Sequence, residues 1–499
     1  MLNPQLKIIQ QLAQKRKVAV YLVGGFLRDR LLGIEKWDFD FAVEKNAIPF
    51  ARSFADQIKG AFILLDQENG CARVAKKSDG RITTFDFADF RQKTFKGDLK
   101  HRDFTINTIA LDVQDLNECV ILSGSEESKI LPPKRRQDDD SKRMLNRHLI
   151  DAYCGIKDLN KKIIRMTSRH VFKEDPLRIL RAYSLRAILG FKIEAKTLGQ
   201  MKKDKELIFN VSAERIREEL FKVLSSEKSG QVLKEMDKLG VLDRVIPQVS
   251  VMYKCAQGGY HHLDVWRHSL QTVVELDQVF DEVRNNPDIQ RYLDQPFAAE
   301  HKRRALIKFA MLLHDIGKPE TKKKEKDRFS FHSHEHAGKR ITRIVAKMLK
   351  LSSDERYMVE DLVRWHLRPG YLSNFKRPSE KAIYRYFRDT KKEAVSILLL
   401  SLADQRATRG PLTSEADQKH HEKICRTLID RYFQDQKKEP FVPLLTGHDL
   451  IKKLKLKPSP LFGKILKESA EQQVLGKITS KEEALKLAKA IVQQEKDKK

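Results

Sequence analysis

Two kinds of periodicity divide this chain. Over its first ~110 residues, short apolar runs alternate with turn signals. Val18–Val23 is an apolar run that stops at Gly24-Gly25, and a helical pattern follows through Leu31 and Leu32 to Gly33. Asp38–Val43 then alternates polar and apolar residues, and Thr83–Phe87 does so again. Alternation of this kind predicts strands with one buried face. From Asp175 onward apolar residues recur every three or four positions, as in RILRAYSLRAILGF, AERIREELFKVL and GQVLKEMDKLGVL. That spacing predicts helices buried along one stripe.

The expected fold class is therefore α+β, with a small mixed α/β head followed by mainly helical domains. The segments expected are a head over 1–150, a helical neck over 151–255, a histidine-rich helical domain over 256–410 and a helical tail over 411–499. Residues 125–148 (SEESKILPPKRRQDDDSKRMLNRH) are charged and Pro-containing, without apolar periodicity, and predict a mobile loop inserted in the head. Gln257-Gly258-Gly259 marks a boundary, and a Gly-Lys-Ile-Thr turn interrupts the tail near 476–479.

Composition sharpens the picture. The 499 residues include 97 Lys+Arg against 69 Asp+Glu, a net charge of +28. Such an excess fits a polyanionic partner, because Lys and Arg release counterions condensed on phosphates; a solvated basic surface is the plainer reading. No apolar run approaches the ~20 residues of a membrane-spanning helix, and the N-terminus lacks the apolar core of a signal peptide. The five cysteines, Cys71, Cys119, Cys154, Cys255 and Cys425, are widely spaced with no CxxC. A disulfide framework or thiolate zinc site is not predicted, and a cytoplasmic location is expected.

On a strand, Asp38 and Asp40 share one face while Phe39 points the other way. Two hard oxygen ligands can share Mg²⁺, which takes substrate phosphates for its remaining positions. A metal pair would activate an attacking hydroxyl and neutralise the leaving group. Upstream, Gly24-Gly25 opens a helix whose backbone amides suit a triphosphate, and Arg28 follows as a bidentate donor. Asp86 is open between a third carboxylate and a residue that supports the fold, and is left out of the metal set.

LVGGFLRDRLLG…WDFDFAV resembles the GG–RD–DxD head of the class II tRNA nucleotidyltransferase and bacterial poly(A) polymerase family. HRDFTINTIALDV (101–113) resembles that family's RRDFTINA segment, FKEDPLRILRAYSLRAILGF (172–191) its EDxxR base-reading segment, and AERIREEL (213–220) its neck helix. The tail GHDLIKKLKLKPSPLFGKILKE…GKITSKEEAL is similar to that of HD-containing members. The resemblance implies a head of the DNA polymerase beta superfamily type and template-independent transfer from CTP and ATP to a tRNA 3′ end. It gives Asp38 and Asp40 the catalytic Mg²⁺ ions, and Gly24, Gly25 and Arg28 the triphosphate. Arg102, Asp103 and Asn107 would take phosphates and ribose; Asp175 and Arg178 would face the incoming base, with Arg181 also in the nucleotide site. A carboxylate accepts from an exocyclic amine and a guanidinium donates to ring nitrogen or carbonyl, so a protein edge can stand in for a template base. Alternatives of different scope are a poly(A) polymerase, and an HD phosphohydrolase whose head only binds RNA.

Three departures from the family stand out. His101 occupies the place of a first Arg, which implies a weakened phosphate contact. Ser184-Leu185 replaces Arg-Phe, a packing change. Only QKTFKG (92–97) separates DFR (89–91) from Asp98, where many CCA-adding members carry a longer flexible loop. Impaired or absent terminal A addition is therefore expected.

In the helical domain, His268, the adjacent His314-Asp315, His334, His366 and Asp404 fall on successive predicted helices. Imidazoles and carboxylates projecting inward from several helices build metal sites. The set resembles the HD phosphohydrolase superfamily: His268, His314, Asp315 and Asp404 match its core, and His334 and His366 the extra ligands of two-metal members. His332 and His336 are less well placed. The expected cofactor is a divalent transition metal, serving either phosphoester hydrolysis or a scaffold that docks RNA. Basic neck and tail helices are expected to bind tRNA; no protein partner is predicted.

Overall fold

The computed structural model describes residues 4–78, 80–116, 148–259, 261–297, 301–325, 328–439 and 441–497. Of the charged segment 125–148, all but His148 lies outside the described residues, as does Cys119. The chain forms two compact units, 1–212 and 213–499.

The first unit is built on a seven-stranded mixed sheet: β1 (Val20–Val23), β2 (Asp38–Val43), β3 (Ala61–Asp66), β4 (Cys71–Ser78), β5 (Arg81–Asp89), β6 (Ala110–Asp112) and β7 (Leu149–Ile150). Their spatial order is β3-β4-β5-β2-β1-β6-β7. Only β2 and β5 run parallel, in a register that sets Asp40 beside Asp86 and Asp38 beside Thr84. Period two then sorts the side chains. Phe39, Phe41, Phe85 and Phe87 turn inward, where Phe39 stacks on Phe85 at 5.2 Å and Phe41 on Phe87 at 5.0 Å. Helix Ala47–Ile58 covers that face with Phe50 and Phe54, the latter edge-on to Phe85 at 5.0 Å. Burying four phenylalanines, each worth roughly 1.5–3 kcal/mol, fixes the register that leaves the three aspartates on the open face.

The same unit continues into helices Val171–Glu174, Arg178–Leu189 and Ala195–Asp204. The helical region is not uniform: Ile163–Ile164 pairs with Lys192–Ile193, and Lys323–Glu325 with Arg328–Ser330 in the second unit.

The second unit is otherwise helical. Helix Ala394–Ala407 is buried on all sides, from Ala394 to Ala403 without a break, as expected of an interior helix. Helices Val265–Glu282 and Glu415–Asp435 pack against it. Residues 257–259 form a loop within this unit. The tail helices Gly447–Leu454, Pro460–Val474 and Lys481–Lys496 enclose a small core of their own around Leu450, Ile465, Ala484 and Ala488. No described helix is long and apolar enough to cross a membrane.

Candidate active site and metal centre

The open face of the sheet gathers charge. Asp38 Oδ1 accepts from Thr84 Oγ1 at 2.5 Å. Arg73 grips Asp86 with two bonds of 2.7 Å each, so this third carboxylate is already paired. Burial, then Asp86 and Asp38, push the Asp40 carboxyl up against the pull of Arg102 and Arg181. Converging carboxylates of this kind favour a divalent cation among them. Beside them, Gly24 has φ +80°, and a Cβ there would stand 2.7 Å from Asp40 Oδ2. Only glycine lets the turn pass so close to the carboxylate.

Arg28 lies under this turn, its NH2 3.2 Å from where a Gly25 Cβ would be. It donates to Asp29 Oδ1 at 2.7 Å and to Asn107 Oδ1 at 2.6 Å. Asn107 donates in turn to Asp103 Oδ1 at 2.9 Å, and Arg181 Nε meets Asp103 Oδ2 at 2.8 Å. Against burial, Arg181 and the bonds from Asn107 and the Phe104 N–H hold the Asp103 carboxyl low. Arg102 is half-buried, 3.6 Å from Asp98, and its Nε is buried with no hydrogen-bond partner among the described residues. A buried guanidinium donor left over beside a carboxylate cluster suits an anionic ligand.

Asp175 follows helix Val171–Glu174 in extended conformation, and its Oδ1 accepts from the Leu177 N–H at 3.2 Å. Arg178 is pinned by Val171 O at 3.2 Å, Glu174 Oε2 at 3.4 Å and His101 O at 2.8 Å. The first unit thus brings Gly24, Gly25, Arg28, Asp38, Asp40, Arg102, Asp103, Asn107, Asp175, Arg178 and Arg181 onto connected elements. Sequence reasoning did not identify Arg73 as the partner of Asp86, because that pairing needs the β4–β5 register. It also did not foresee that the His101 ring turns to Glu174.

In the second unit all six expected residues converge. His268, His314 and Asp404 offer ligand atoms within 4.8 Å of one another, and so do Asp315, His334 and His366. Local structure aims each one. Asp264 caps helix Val265–Glu282 through the Arg267 N–H and sets His268 one turn in. His314 and His366 close helices Arg303–Leu313 and Ser353–Trp365, while His334 opens His334–Met348. A Cβ on Gly317 would fall 2.1 Å from His334 O, so the bare backbone lets that helix reach Asp315.

The ring nitrogens show what the cluster can hold. His314, His334 and His366 each donate Nδ1–H to the backbone carbonyl three residues earlier, at 2.7, 2.8 and 2.7 Å. Every Nε2 is then free to offer a lone pair, as in metal sites whose outer hydrogen bonds fix the tautomer. His334 Nε2 and His366 Nε2 face each other at 3.2 Å, an arrangement that a cation between them would satisfy. Burial, with His334 and His314 nearby, pushes His366 down to about 3. Against burial, Asp315 and Asp404 lift His314 to about 10: the cluster demands positive charge at its centre. The residues fit a divalent metal.

Sequence reasoning missed two neighbours. Lys318 Nζ bridges Asp315 Oδ2 at 2.6 Å and Gln257 Oε1 at 2.7 Å; its spacing of three from Asp315 was the available signal. His261 lies edge-on to His268 at 4.7 Å. His332 and His336 are largely exposed, apart from the cluster.

Four family models match this chain. Residues 20–126 match the poly A polymerase head domain, 190–252 the "Probable RNA and SrmB- binding site of polymerase A", 265–432 the HD domain and 415–488 the tRNA nucleotidyltransferase domain 2 family. The CC-adding tRNA nucleotidyltransferase of Thermus thermophilus is 27% identical over 475 residues, 93% of this chain and 91% of that one. The fold is similar to the Thermotoga maritima CCA-adding enzyme complexed with tRNA, at TM-score 0.60 and 20% identity over 98% of this chain and 96% of that one. The A-adding tRNA nucleotidyltransferase of Deinococcus radiodurans is 30% identical over 474 residues, 93% of each chain. With the carboxylate face, the glycine turn and the six-residue cluster in place, the chain belongs to the class II tRNA nucleotidyltransferase family, among the members that carry an HD domain.

Proposed function

We propose that the first unit transfers nucleotides from CTP to the 3′ end of tRNA and stops before the terminal A. The observation that carries the transfer reading is the Asp38–Asp40 face set against the Gly24 turn and the unpaired Nε of Arg102. Asp38 and Asp40 would hold Mg²⁺, which when bound supplies an activated hydroxyl and a neutralised pyrophosphate. The Gly24-Gly25 amides, backed by Arg28, orient the triphosphate; Arg102 and Arg181 bring charge to its phosphates; Asn107 and Asp103 take the ribose. Asp175 and Arg178 present acceptor and donor to the base.

The stop before A rests on the connection between β5 and helix Phe95–Lys100. It is short and tied at both ends: Thr94 caps the helix through the Gly97 N–H, Asp98 Oδ1 accepts from the Arg91 N–H at 3.1 Å, and Phe95 stacks on Tyr21 at 3.7 Å. A segment so anchored has no slack with which to reset the base-reading turn. The Deinococcus relative, named as A-adding, favours a second reading, addition of A to tRNA already ending in CC. Purified protein given CTP and ATP with tRNA lacking CCA, or ending in CC, separates them. Product ending in CC on the first substrate supports our reading; A added only to the second supports the alternative; complete CCA overturns both.

Gly24→Ala is expected to cut incorporation by about 100-fold, because the methyl displaces Asp40 and the turn is strained at positive φ, the latter costing more than ~1 kcal/mol. An unchanged rate would detach the turn from the site.

For the second unit we propose a metal-dependent phosphoester hydrolase, with divalent transition ions held by the two groups of three ligands. Free Cys71, Cys154, Cys255 and Cys425 fit a reducing cytoplasm.

A further inference from the structure

His101 is a junction of three segments. Its ring Nδ1 donates to Glu174 Oε1 at 3.0 Å, and the other oxygen of Glu174 accepts from Arg178 NH1 at 3.4 Å. Arg178 NH2 returns to the His101 carbonyl at 2.8 Å, closing a ring of contacts. The same carbonyl accepts from Arg91 NH1 at 3.1 Å. Arg91 belongs to the short connection after β5, and its own N–H is fixed on Asp98.

These contacts restrict Arg178. Its side chain is 9% exposed, and burial pushes its pKa down, so a donor leaving this ring would find little water in exchange. Cytosine and adenine place their exocyclic amine and ring nitrogen at different distances from the sugar. A guanidinium that reads both must move between two positions. Here the acceptors that hold it are themselves held, by an imidazole on one side and by the short connection on the other.

We propose that His101 is a positioning residue for nucleotide selection. Through its ring it braces Glu174, and through its carbonyl it ties Arg178 to Arg91, so the protein edge is set for one base. This rests on the reading that Asp175 and Arg178 face the incoming base. A side chain at 101 that only touched phosphate would affect all nucleoside triphosphates alike. A brace behind the base-reading pair changes the ratio between them.

The test compares wild type with His101→Ala, Glu174→Gln, His101→Arg and Asp175→Ala on tRNA lacking CCA, measuring kcat and KM separately for CTP, ATP and UTP. His101→Ala and Glu174→Gln should lower the preference for CTP over UTP about tenfold, mainly through KM for CTP, without lowering the melting temperature in proportion. His101→Arg, which puts a hydrogen-bond donor back opposite Glu174, should retain the preference. An unchanged preference in both His101→Ala and Glu174→Gln overturns the proposal, as does an equal fall in kcat for every triphosphate. If Asp175→Ala also leaves preference intact, the base-reading assignment itself fails; if Asp175→Ala abolishes it and His101→Ala does not, only the brace fails.

Discussion

Asp40→Ala is expected to cut nucleotide incorporation by about 1,000-fold or more, while tRNA binding in a mobility-shift assay should stay within about twofold. The first effect follows from removing the carboxylate that lies against the Gly24 turn. The second follows because a single carboxylate on a sheet face adds nothing to phosphate contacts made by Lys and Arg. Stability gives a further discriminant. Burial and two neighbouring aspartates already press on Asp40, so its removal relieves repulsion and the melting temperature should not fall. Asp40→Asn, nearly identical in shape, should be equally inactive. Incorporation retained in either variant would refute the metal assignment.

His314→Ala has the converse signature. Bound divalent metal, measured by elemental analysis, should drop, and hydrolysis of a phosphomonoester or 2′,3′-cyclic phosphate should fall more than about 100-fold. Nucleotide incorporation should continue, because Asp38 and Asp40 belong to the other compact unit. The imidazole is fully buried, with its Nδ1–H on Met311 O, so Ala also leaves a cavity and strands a carbonyl; His314→Gln separates that cost from metal loss. Protein without any divalent metal when purified from metal-replete cells, and inactive after metal is added back, would end the hydrolase reading. Loss of both activities in His314→Gln would mean that the two units do not work independently.

Much of this arrangement is legible in the chain. Alternation in DFDFAV places Asp38 and Asp40 together, and β2 occupies that span, Asp38–Val43. The six residues of the candidate metal cluster can be picked out because His and Asp stand on successive predicted helices, in the order of the HD superfamily. Strands β3 and β4 were not anticipated. AFILLD has no alternation and leaves Ile63, Leu64 and Leu65 exposed, while CARVAKKS takes its order from pairing with β5. The parallel match of β2 with β5 joins residues more than forty apart, and local pattern does not encode such a distance. The same limit hid the partners. That Arg73 holds Asp86, that His101 holds Glu174, and that His314, His334 and His366 each spend Nδ1 on a nearby carbonyl are all consequences of packing. Residue types were visible; which atom faces which was not.

The interior helix Ala394–Ala407 carries Asp404 at the end of a buried apolar run. The run that holds the second unit together and the carboxylate that would hold a metal are therefore different residues on one rod. Chemistry and architecture can part company there. In a descendant lineage, one substitution at 404 could silence the proposed hydrolysis while the scaffold persisted unaltered, whereas moving the carboxylate by even one position would turn it about 100° around the rod and away from His268 and His314. Selection can switch this centre off far more readily than it can relocate it.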